Sequence, residues 1–254
     1  KAEKENKIKK DYATQEFLDK NFQRLRKNAW ADEYIYGIEI NFDLAMAAKV
    51  NMVCHGDGSA HIEPQDGLID FTNYHDRLKI KTKNEVYPFY VNEQFDVVVS
   101  NPPFSVTVDR DTAKQFPKLY LRGEKIAKTL KNNKDLEVDT ENLFIERWYQ
   151  LLREGGRMGV VLPESVFDTT SNRDIRLFLY KYFWIKAVVS LPHLAFAPYT
   201  QTKTSLLFAQ KKTSKEVKEW SKLWAKYVEE YKELSEEIKK ILKSDKAQNK
   251  EKFI

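Results

Sequence analysis

The sequence is poor in the residues that build disulfide-bonded, cysteine-metal or membrane-spanning proteins. Its 254 residues include a single cysteine, Cys54. One cysteine excludes an internal disulfide and a cysteine-cluster metal site, and it is typical of a reducing cytoplasm. No apolar run approaches the roughly 20 residues that span a membrane as a helix. Glycine is also scarce: there are eight, and none precedes Gly37. We therefore expect a cytoplasmic protein without a metal site.

The residues that are present suffice for one large domain. Hydrophobic residues make up 42% of the chain and aromatic residues 13%, so a substantial core can form, with an extension beside it. The formal net charge of +5 slightly favours a polyanionic partner. Many proteins that bind no nucleic acid are equally basic, so composition alone does not identify a function.

A short apolar strand followed by two prolines carries the strongest functional signal. Val97–Val99 are three β-branched residues, which predict a strand buried on both faces, as in a parallel sheet. Pro102 and Pro103 lack the N–H that would continue a β-ladder, and their rings restrict the backbone. We therefore predict that Asn101–Phe104 is a stiff loop at the carboxyl end of a strand, where open α/β sheets bind ligands.

This loop has the chemistry to hold an amino group. The Asn101 amide oxygen and the Pro102 carbonyl oxygen are both acceptors, and two converging acceptors suit an NH₂ group. An exocyclic base amine is a poor nucleophile because its lone pair is delocalised into the ring. Holding both N–H bonds out of the ring plane localises that pair, while Phe104 can stack on the ring. The alternative is an ordinary tight turn with Phe104 in the core.

The segment resembles the catalytic motif of a known enzyme family. Asp, Asn or Ser, followed by Pro-Pro and then Tyr, Phe or Trp, marks methyltransferases that act on amino groups with S-adenosyl-L-methionine. The Asn-Pro-Pro-Phe form here is similar to that of the adenine-N6 DNA methyltransferase subunit of type I restriction–modification systems. The resemblance implies catalytic roles for Asn101, Pro102, Pro103 and Phe104. It also implies double-stranded DNA with a flipped adenine as substrate, with a specificity subunit and a restriction subunit as partners.

A second candidate site lies where an earlier strand meets a helix. Tyr34–Glu39 predicts a strand, and Asn41 is a good N-cap for a helix over Phe42–Val53. Glu39 is thereby placed where an acid accepts hydrogen bonds from ribose hydroxyls in nucleotide-binding α/β folds, although a solvated carboxylate is the alternative. Ile40, the next residue, can lie against the adenine of the cofactor.

The resemblance adds two residues to this cofactor site. After the predicted strand Ala60–Glu63, it implies that Asp66 accepts a hydrogen bond from the adenine amino group of the cofactor. It implies that Leu68 lines the same pocket. A turn-capping role for Asp66, which precedes a glycine, is equally open.

Helices and strands alternate along the rest of the chain. Sequence periodicity predicts a helix, a strand, a second helix and two further strands, at Asn142–Leu152, Arg157–Pro163, Asn172–Tyr182, Ile185–Leu191 and Thr204–Ala209. This alternation predicts an α/β fold with a doubly wound, mostly parallel sheet. By resemblance, which covers about residues 34–212, it is the Rossmann-like fold of S-adenosylmethionine-dependent methyltransferases. We assign residues 1–212 to this catalytic domain, including a predicted helix over 1–29 and a basic stretch, 105–140, that either contacts phosphates or is merely solvated.

The last part of the chain, residues 213–254, has a different composition. Its apolar residues alternate at spacings of three and four on a Lys- and Glu-rich background without glycine or proline, at Val217, Trp220, Trp224, Tyr227, Tyr231, Leu234, Ile238 and Ile241. This heptad period predicts one long amphipathic helix. The stripe either docks on the core or contacts a partner helix, such as one of the specificity subunit.

A glycine-rich loop typical of this class is absent. The family carries a loop of the kind Asp-Pro-x-x-Gly-x-Gly-Gly upstream of the strand that ends in the ribose-binding acid, whereas no glycine precedes Gly37 here. We therefore expect the chain to be a C-terminal fragment of a longer protein, and we expect it to bind the cofactor poorly by itself. Micromolar binding measured by calorimetry on residues 1–254 would contradict this.

Two alternatives to adenine methylation remain open. One is methylation of a protein glutamine or of an RNA amine, although such enzymes more often carry Asn-Pro-Pro-Tyr. The other is a non-catalytic DNA-binding or assembly module on the same fold. The proposed chemistry requires no histidine and no metal.

Overall fold

The computed structural model describes residues 31, 34–55, 61–75, 93–104, 107–108 and 138–245. They belong to two compact units, Lys1–Gln94 and Phe95–Ile254, and each unit is described by itself. The helix predicted over 1–29 and most of the basic stretch 105–140 lie outside the described residues. No helix in the described ranges is both long and apolar enough to cross a membrane.

The first unit contains a strand, a helix and a second strand. Strand β1 (Gly37–Glu39) pairs in parallel with β2 (Ile62–Pro64), and helix α1 (Phe42–His55) connects them. The Asn41 side chain accepts a hydrogen bond from the Leu44 N–H at 3.1 Å, which is the N-cap interaction that the sequence predicts. The predicted order of elements is therefore confirmed, with a shorter first strand than expected.

The second unit is built on a four-stranded sheet. Its strands are β3 (Phe95–Ser100), β6 (Leu152–Pro163), β7 (Phe183–Ser190) and β8 (Thr204–Lys211), in the spatial order β3-β6-β8-β7. Strand β6 is parallel to β3, whereas β8 is antiparallel to both β6 and β7. Three strands thus run in one direction, and their carboxyl ends lie at one edge of the sheet.

The reversed strand β8 was not expected from the sequence. Only residues 191–203, which form turns, separate β7 from β8. A parallel return requires a crossover, usually a helix, and residues 191–203 form turns instead, so the chain returns antiparallel to β7. The remaining strands, β4 (Thr107–Val108) and β5 (Val138–Asp139), form a small antiparallel pair.

Three helices cover one face of this sheet. They are α2 (Thr140–Leu151), α3 (Ser165–Asp168) and α4 (Arg173–Tyr182). Their apolar residues join alternate residues of β6 and β8 in one buried cluster, which includes Ile145, Trp148, Met158, Val160, Leu162, Val166, Ile175, Phe178, Leu179, Leu207 and Ala209. The alternation along β6 follows the two-residue period of a strand, so its other side chains point to the opposite face.

The prediction that Val97–Val99 is buried on both faces is wrong for the described part of the chain. Val98 packs against the core cluster, but Val97 is 54% exposed and Val99 is 82% exposed. Among the described residues β3 pairs only with β6 and lies at an edge of its sheet, and the exposure of Val97 and Val99 depends on what covers the face to which they point. The described helices of this unit cover only the face to which Val98 points.

Two consecutive lysines stabilise the ends of two helices. Lys211 donates hydrogen bonds to the carbonyls of Tyr149 and Leu152, at 2.8 and 2.7 Å, at the end of α2. Lys212 donates to the carbonyl of Tyr180 near the end of α4, at 2.6 Å. Cations are favoured at helix carboxyl ends, where carbonyls lack partners. Gly155 and Gly156 follow within β6, where the pairing with β3 is irregular.

Helix α5 (Ser214–Asp245) confirms the long helix predicted near the end of the chain. Thr213 and Glu216 form a reciprocal capping box: the Glu216 carboxylate accepts from the Thr213 N–H at 2.7 Å, and the Thr213 hydroxyl accepts from the Glu216 N–H at 3.3 Å. At 1.5 Å per residue the 32-residue helix extends about 48 Å. Most of its apolar stripe is exposed, including Trp224 and, at 72%, Tyr231.

Candidate functional site

The Asn-Pro-Pro-Phe loop lies at the carboxyl edge of the four-stranded sheet. Strand β3 ends at Ser100, which pairs with Val160 of β6, and Asn101 is the next residue. Asn101 is exposed, whereas Pro102 is buried. Within the described ranges, neither the Asn101 side-chain amide nor the Pro102 carbonyl has a hydrogen-bond partner. Both acceptors therefore lack a partner among the described residues, and the Asn101 side chain is exposed to a ligand.

The first turn of helix α2 is hydrogen-bonded to this loop. The Thr140 hydroxyl, in the first turn of the helix, donates to the carbonyl of Pro103 at 3.1 Å. The Asn142 side chain is fully buried and donates to Asp139 and to Asn172, both at 3.3 Å. The proline rings and the Thr140 bond restrain the backbone that carries the two acceptors, and the Asn142 bonds hold the start of α2 in place.

A second aromatic ring lies beside the motif. The rings of Phe104 and Phe196 meet edge to face, with centroids 6.3 Å apart and an interplanar angle of 72°. Phe196 lies in the connection between β7 and β8, more than ninety residues away in sequence. Sequence reasoning did not identify it as a site residue, because no local pattern shows that this connection reaches the motif.

Helix α2 also contains a carboxyl group in an unusual electrostatic environment. Glu146 is fully buried, and burial raises its pKa to about 10 despite the opposing effect of the Arg147 charge. Neither of its carboxyl oxygens has a hydrogen-bond partner in the described part of the chain. At neutral pH this side chain is therefore uncharged.

In the first unit, the structure brings two of the predicted cofactor residues to one edge. Glu39 ends β1, and Asp66 follows the end of β2, which is the adjacent parallel strand. Glu39 accepts a hydrogen bond from the Asn41 N–H at 2.8 Å. Asp66 accepts one from the Leu68 N–H at 2.9 Å, which is the turn-capping interaction weighed above. Each carboxylate has a second oxygen, so neither contact prevents ligand binding.

The two apolar residues predicted for the cofactor site differ in accessibility. Ile40 is 71% exposed, so its side chain is available to a planar ring, whereas Leu68 is only 2% exposed. Two acids at adjacent strand ends beside an exposed apolar side chain fit the adenosine part of S-adenosylmethionine. The roles of Glu39, Ile40, Asp66 and Leu68 remain predictions, as do those of the four motif residues in the second unit.

Comparison with known proteins matches nearly the whole chain to one family. The family described as N-6 DNA methylase matches residues 7–253. Over 128 residues the chain is 33% identical to the methylase subunit of the type I restriction enzyme EcoEI of Escherichia coli, covering 50% of this chain and 23% of that protein. It is 28% identical over 186 residues to the methylase subunit of the type I restriction enzyme MpnII of Mycoplasma pneumoniae, covering 71% and 31%.

Solved structures show the same fold. A structure of a type I restriction–modification system superposes with a TM-score of 0.51 at 29% identity, covering 69% of this chain and 30% of that one. The type I enzyme EcoKI M protein superposes with a TM-score of 0.51 at 18% identity, covering 80% and 36%. The α/β Rossmann-like fold is thereby confirmed, and the chain spans about a quarter to a third of the length of these relatives. The chain belongs to the N-6 DNA methylase family.

Proposed function

We propose that this protein transfers a methyl group from S-adenosyl-L-methionine to the N6 amine of adenine in double-stranded DNA. It would do so as the modification subunit of a type I restriction–modification system. The observation that carries the proposal is the exposed Asn101 amide beside the Pro102 carbonyl, both without a hydrogen-bond partner in the described residues. A rigid loop with two free acceptors at the carboxyl edge of the sheet is suited to hold an amine.

The loop activates the amine by holding it. Asn101 and the Pro102 carbonyl each accept one N–H bond of the flipped adenine, which localises the nitrogen lone pair. When bound, S-adenosylmethionine supplies an electrophilic methyl group on a sulfonium. The held amine nitrogen would take that methyl group, leaving the sulfur as a neutral thioether, and would then release a proton to solvent. No charged base is required before the attack.

The aromatic pair provides the surface for the base. Phe104 is half-buried, so one part of its ring packs on the protein while another part is accessible. Phe196 meets it edge to face and limits the space beside it. Enzymes that act on a base extrude it from the duplex and bind it between aromatic and apolar side chains. Phe104 therefore stacks on the adenine, and Phe196 borders the slot.

We predict that Glu39→Gln weakens cofactor binding. The variant keeps an oxygen for the Asn41 N–H but removes the charge that strengthens bonds to the ribose hydroxyls. A hydrogen bond to a charged group contributes about 1.5 kcal/mol or more, so the dissociation constant for S-adenosylmethionine should rise about tenfold. Calorimetry on the full-length protein measures this. Asp43→Asn, in the first turn of α1, is the matched control and should leave the dissociation constant unchanged, and an equal effect of both variants would argue against the ribose contact.

The exposed stripe of α5 supports assembly with a specificity subunit. A helix that carries Trp224, Tyr227, Tyr231 and Ile238 on its exposed surface buries that surface when it packs on a partner helix. We predict that Tyr231→Glu combined with Ile238→Glu prevents co-elution of the two subunits in gel filtration. The matched control, Lys232→Glu with Lys239→Glu, makes a larger charge change one position away and should leave co-elution intact. Normal assembly of the stripe variant would exclude the contact.

The activity itself is tested on DNA. Host DNA from cells with and without the intact gene, together with its partner subunits, is digested with methylation-sensitive nucleases and analysed for N6-methyladenine by mass spectrometry. The proposal expects gene-dependent N6-methyladenine at defined sites. DNA binding without methylation would favour the non-catalytic module, and methylation of protein or RNA alone would favour the other alternative.

A further inference from the structure

Four polar side chains tie together both ends of the connection between β7 and β8. Glu164, directly after β6, accepts hydrogen bonds from the hydroxyls of Ser205, at 2.8 Å, and Ser190, at 3.1 Å. The Lys203 ammonium donates to the Ser190 hydroxyl at 2.6 Å and to the carbonyl of Leu191. It also lies 3.9 Å from the Glu164 carboxylate. We call Glu164, Ser190, Lys203 and Ser205 the loop clamp.

Backbone bonds place the clamp at the end of the sheet. Ser190 and Ser205 are opposite each other in the β7–β8 pair. The Glu164 N–H donates to the carbonyl of Lys203, and the Leu191 N–H donates to the carbonyl of Thr204, both at 3.0 Å. The clamp thus joins the carboxyl ends of β6 and β7 to the start of β8. This is the edge of the sheet at which Asn101 follows β3.

The connection that the clamp holds is internally ordered and carries Phe196. The Ala195 N–H donates to the carbonyl of Pro192, and the Tyr199 N–H donates to that of Phe196, both at 3.0 Å. The Thr200 and Thr202 hydroxyls lie 2.9 Å apart. Because these turns fix the connection internally, its orientation on the sheet is set at its two ends. A change at the clamp therefore moves Phe196 relative to Phe104.

We propose that Glu164 and Lys203 are positioning residues that set Phe196 against Phe104 and thereby fix the width of the slot for the flipped base. This inference rests on the proposed function and goes beyond it by assigning a role to residues that do not touch the base. The Glu164 carboxylate is the centre of the arrangement, because the clamp hydroxyls from both ends of the connection donate to one of its oxygens.

A role in stability alone explains the clamp less well than a positioning role does. The Glu164 and Lys203 side chains are 37% and 32% exposed, and ion pairs at such surfaces contribute little to stability. The hydroxyl bonds of Ser205 and Ser190 hold the pKa of Glu164 below its ordinary range, so the carboxylate is charged at neutral pH. The clamp is therefore a hydrogen-bonded polar cluster at the edge of the candidate site and not part of the hydrophobic core.

The test uses the full-length protein assembled with its partner subunits. Glu164→Ala should lower the methyl-transfer rate at saturating DNA and cofactor by about 10²-fold, the cost of misplacing a reacting group by roughly 1 Å. The affinity for S-adenosylmethionine should stay unchanged, and the fluorescence rise of 2-aminopurine at the target position should be smaller. The matched control is Glu154→Ala, which removes a carboxylate that accepts from the Ser214 N–H at 2.8 Å at the opposite edge of the sheet. It should leave the rate unchanged.

A double-mutant cycle separates positioning from stability. If Glu164 acts through Phe196, then Glu164→Ala added to Phe196→Ala should lower the rate little further. Additive losses, or a normal rate for Glu164→Ala, would overturn the inference. If Glu164→Ala fails to fold, Ser205→Ala takes its place in the same cycle with the same two outcomes. Asn101→Ala separates the proposed function from the role of the clamp. Activity in Asn101→Ala would refute the proposed function, whereas a normal rate in Glu164→Ala alone would refute only the positioning role of the clamp.

Discussion

Asn101→Ala should reduce methyl transfer by the full-length enzyme at least about 10³-fold. The variant removes one of the two acceptors that orient the amine, and removing one preorganised polar contact to a reacting group typically lowers kcat by about 10² to 10³. Here the effect should reach the upper end, because the same contact also localises the attacking lone pair. Single-turnover transfer of a labelled methyl group to duplex DNA measures it, with S-adenosylmethionine binding recorded in parallel.

Asn101→Asp is the informative comparison for this prediction. Aspartate retains an acceptor oxygen of similar reach, and the family motif includes Asp-Pro-Pro forms, so this variant should keep measurable activity. Cofactor affinity should be unchanged in both variants, because Asn101 is not among the residues proposed to bind adenosine. The mechanism would be refuted if Asn101→Ala retained more than a tenth of the rate, or if it lost activity only through weaker cofactor binding.

The strand end and its motif were predictable because their signals are local. Two consecutive prolines end a β-ladder whatever surrounds them, and β3 does end at Ser100, just before Asn101. Asp66 was placed in the cofactor site by resemblance alone, and the parallel pairing of β1 with β2, which is usual for a strand–helix–strand unit, brings it to the same edge as Glu39. For the strand end, a few consecutive residues contain the physical cause.

The features that could not be predicted depend on contacts distant in sequence. Val97–Val99 look buried by their β-branched character, yet burial depends on what lies on each face, and Val99 is 82% exposed. The return of β8 between β6 and β7 brings Phe196 to Phe104 and Ser205 to Glu164. No local sequence pattern around either residue of a pair indicates the other residue. The pairs become evident only from the order of the strands in the sheet.

The last prediction concerns Glu146, whose buried carboxyl should make folding depend on pH. The pKa is about 10 in the folded protein and near 4.5 when unfolded, so the folded state binds the proton more tightly. The stabilisation linked to this proton is fully present below pH 4.5. It is lost progressively as the pH rises from 4.5 to 10, because the unfolded state gains stability by ionising.

We therefore expect Glu146→Gln to stabilise the protein at neutral pH. Glutamine has nearly the same shape and stays uncharged in both states, so it removes the cost of keeping the carboxyl protonated. At 1.36 kcal/mol per pKa unit, the gain in unfolding free energy at pH 7 is about 3 kcal/mol, and it should vanish near pH 4. Denaturant unfolding at pH 4, 7 and 9 measures the difference.

Glu154→Gln provides a control of opposite sign for the same measurement. Hydrogen bonds from Ser214 hold the pKa of Glu154 below its ordinary value, so its charged form is favoured in the folded state, and neutralising it should not stabilise the protein at any pH. Because α2 also carries the Thr140 hydroxyl bound to Pro103, methyl transfer by Glu146→Gln should remain normal if the helix keeps its position. A gain for Glu146→Gln that is the same at all three pH values would show that packing, and not the proton, is responsible.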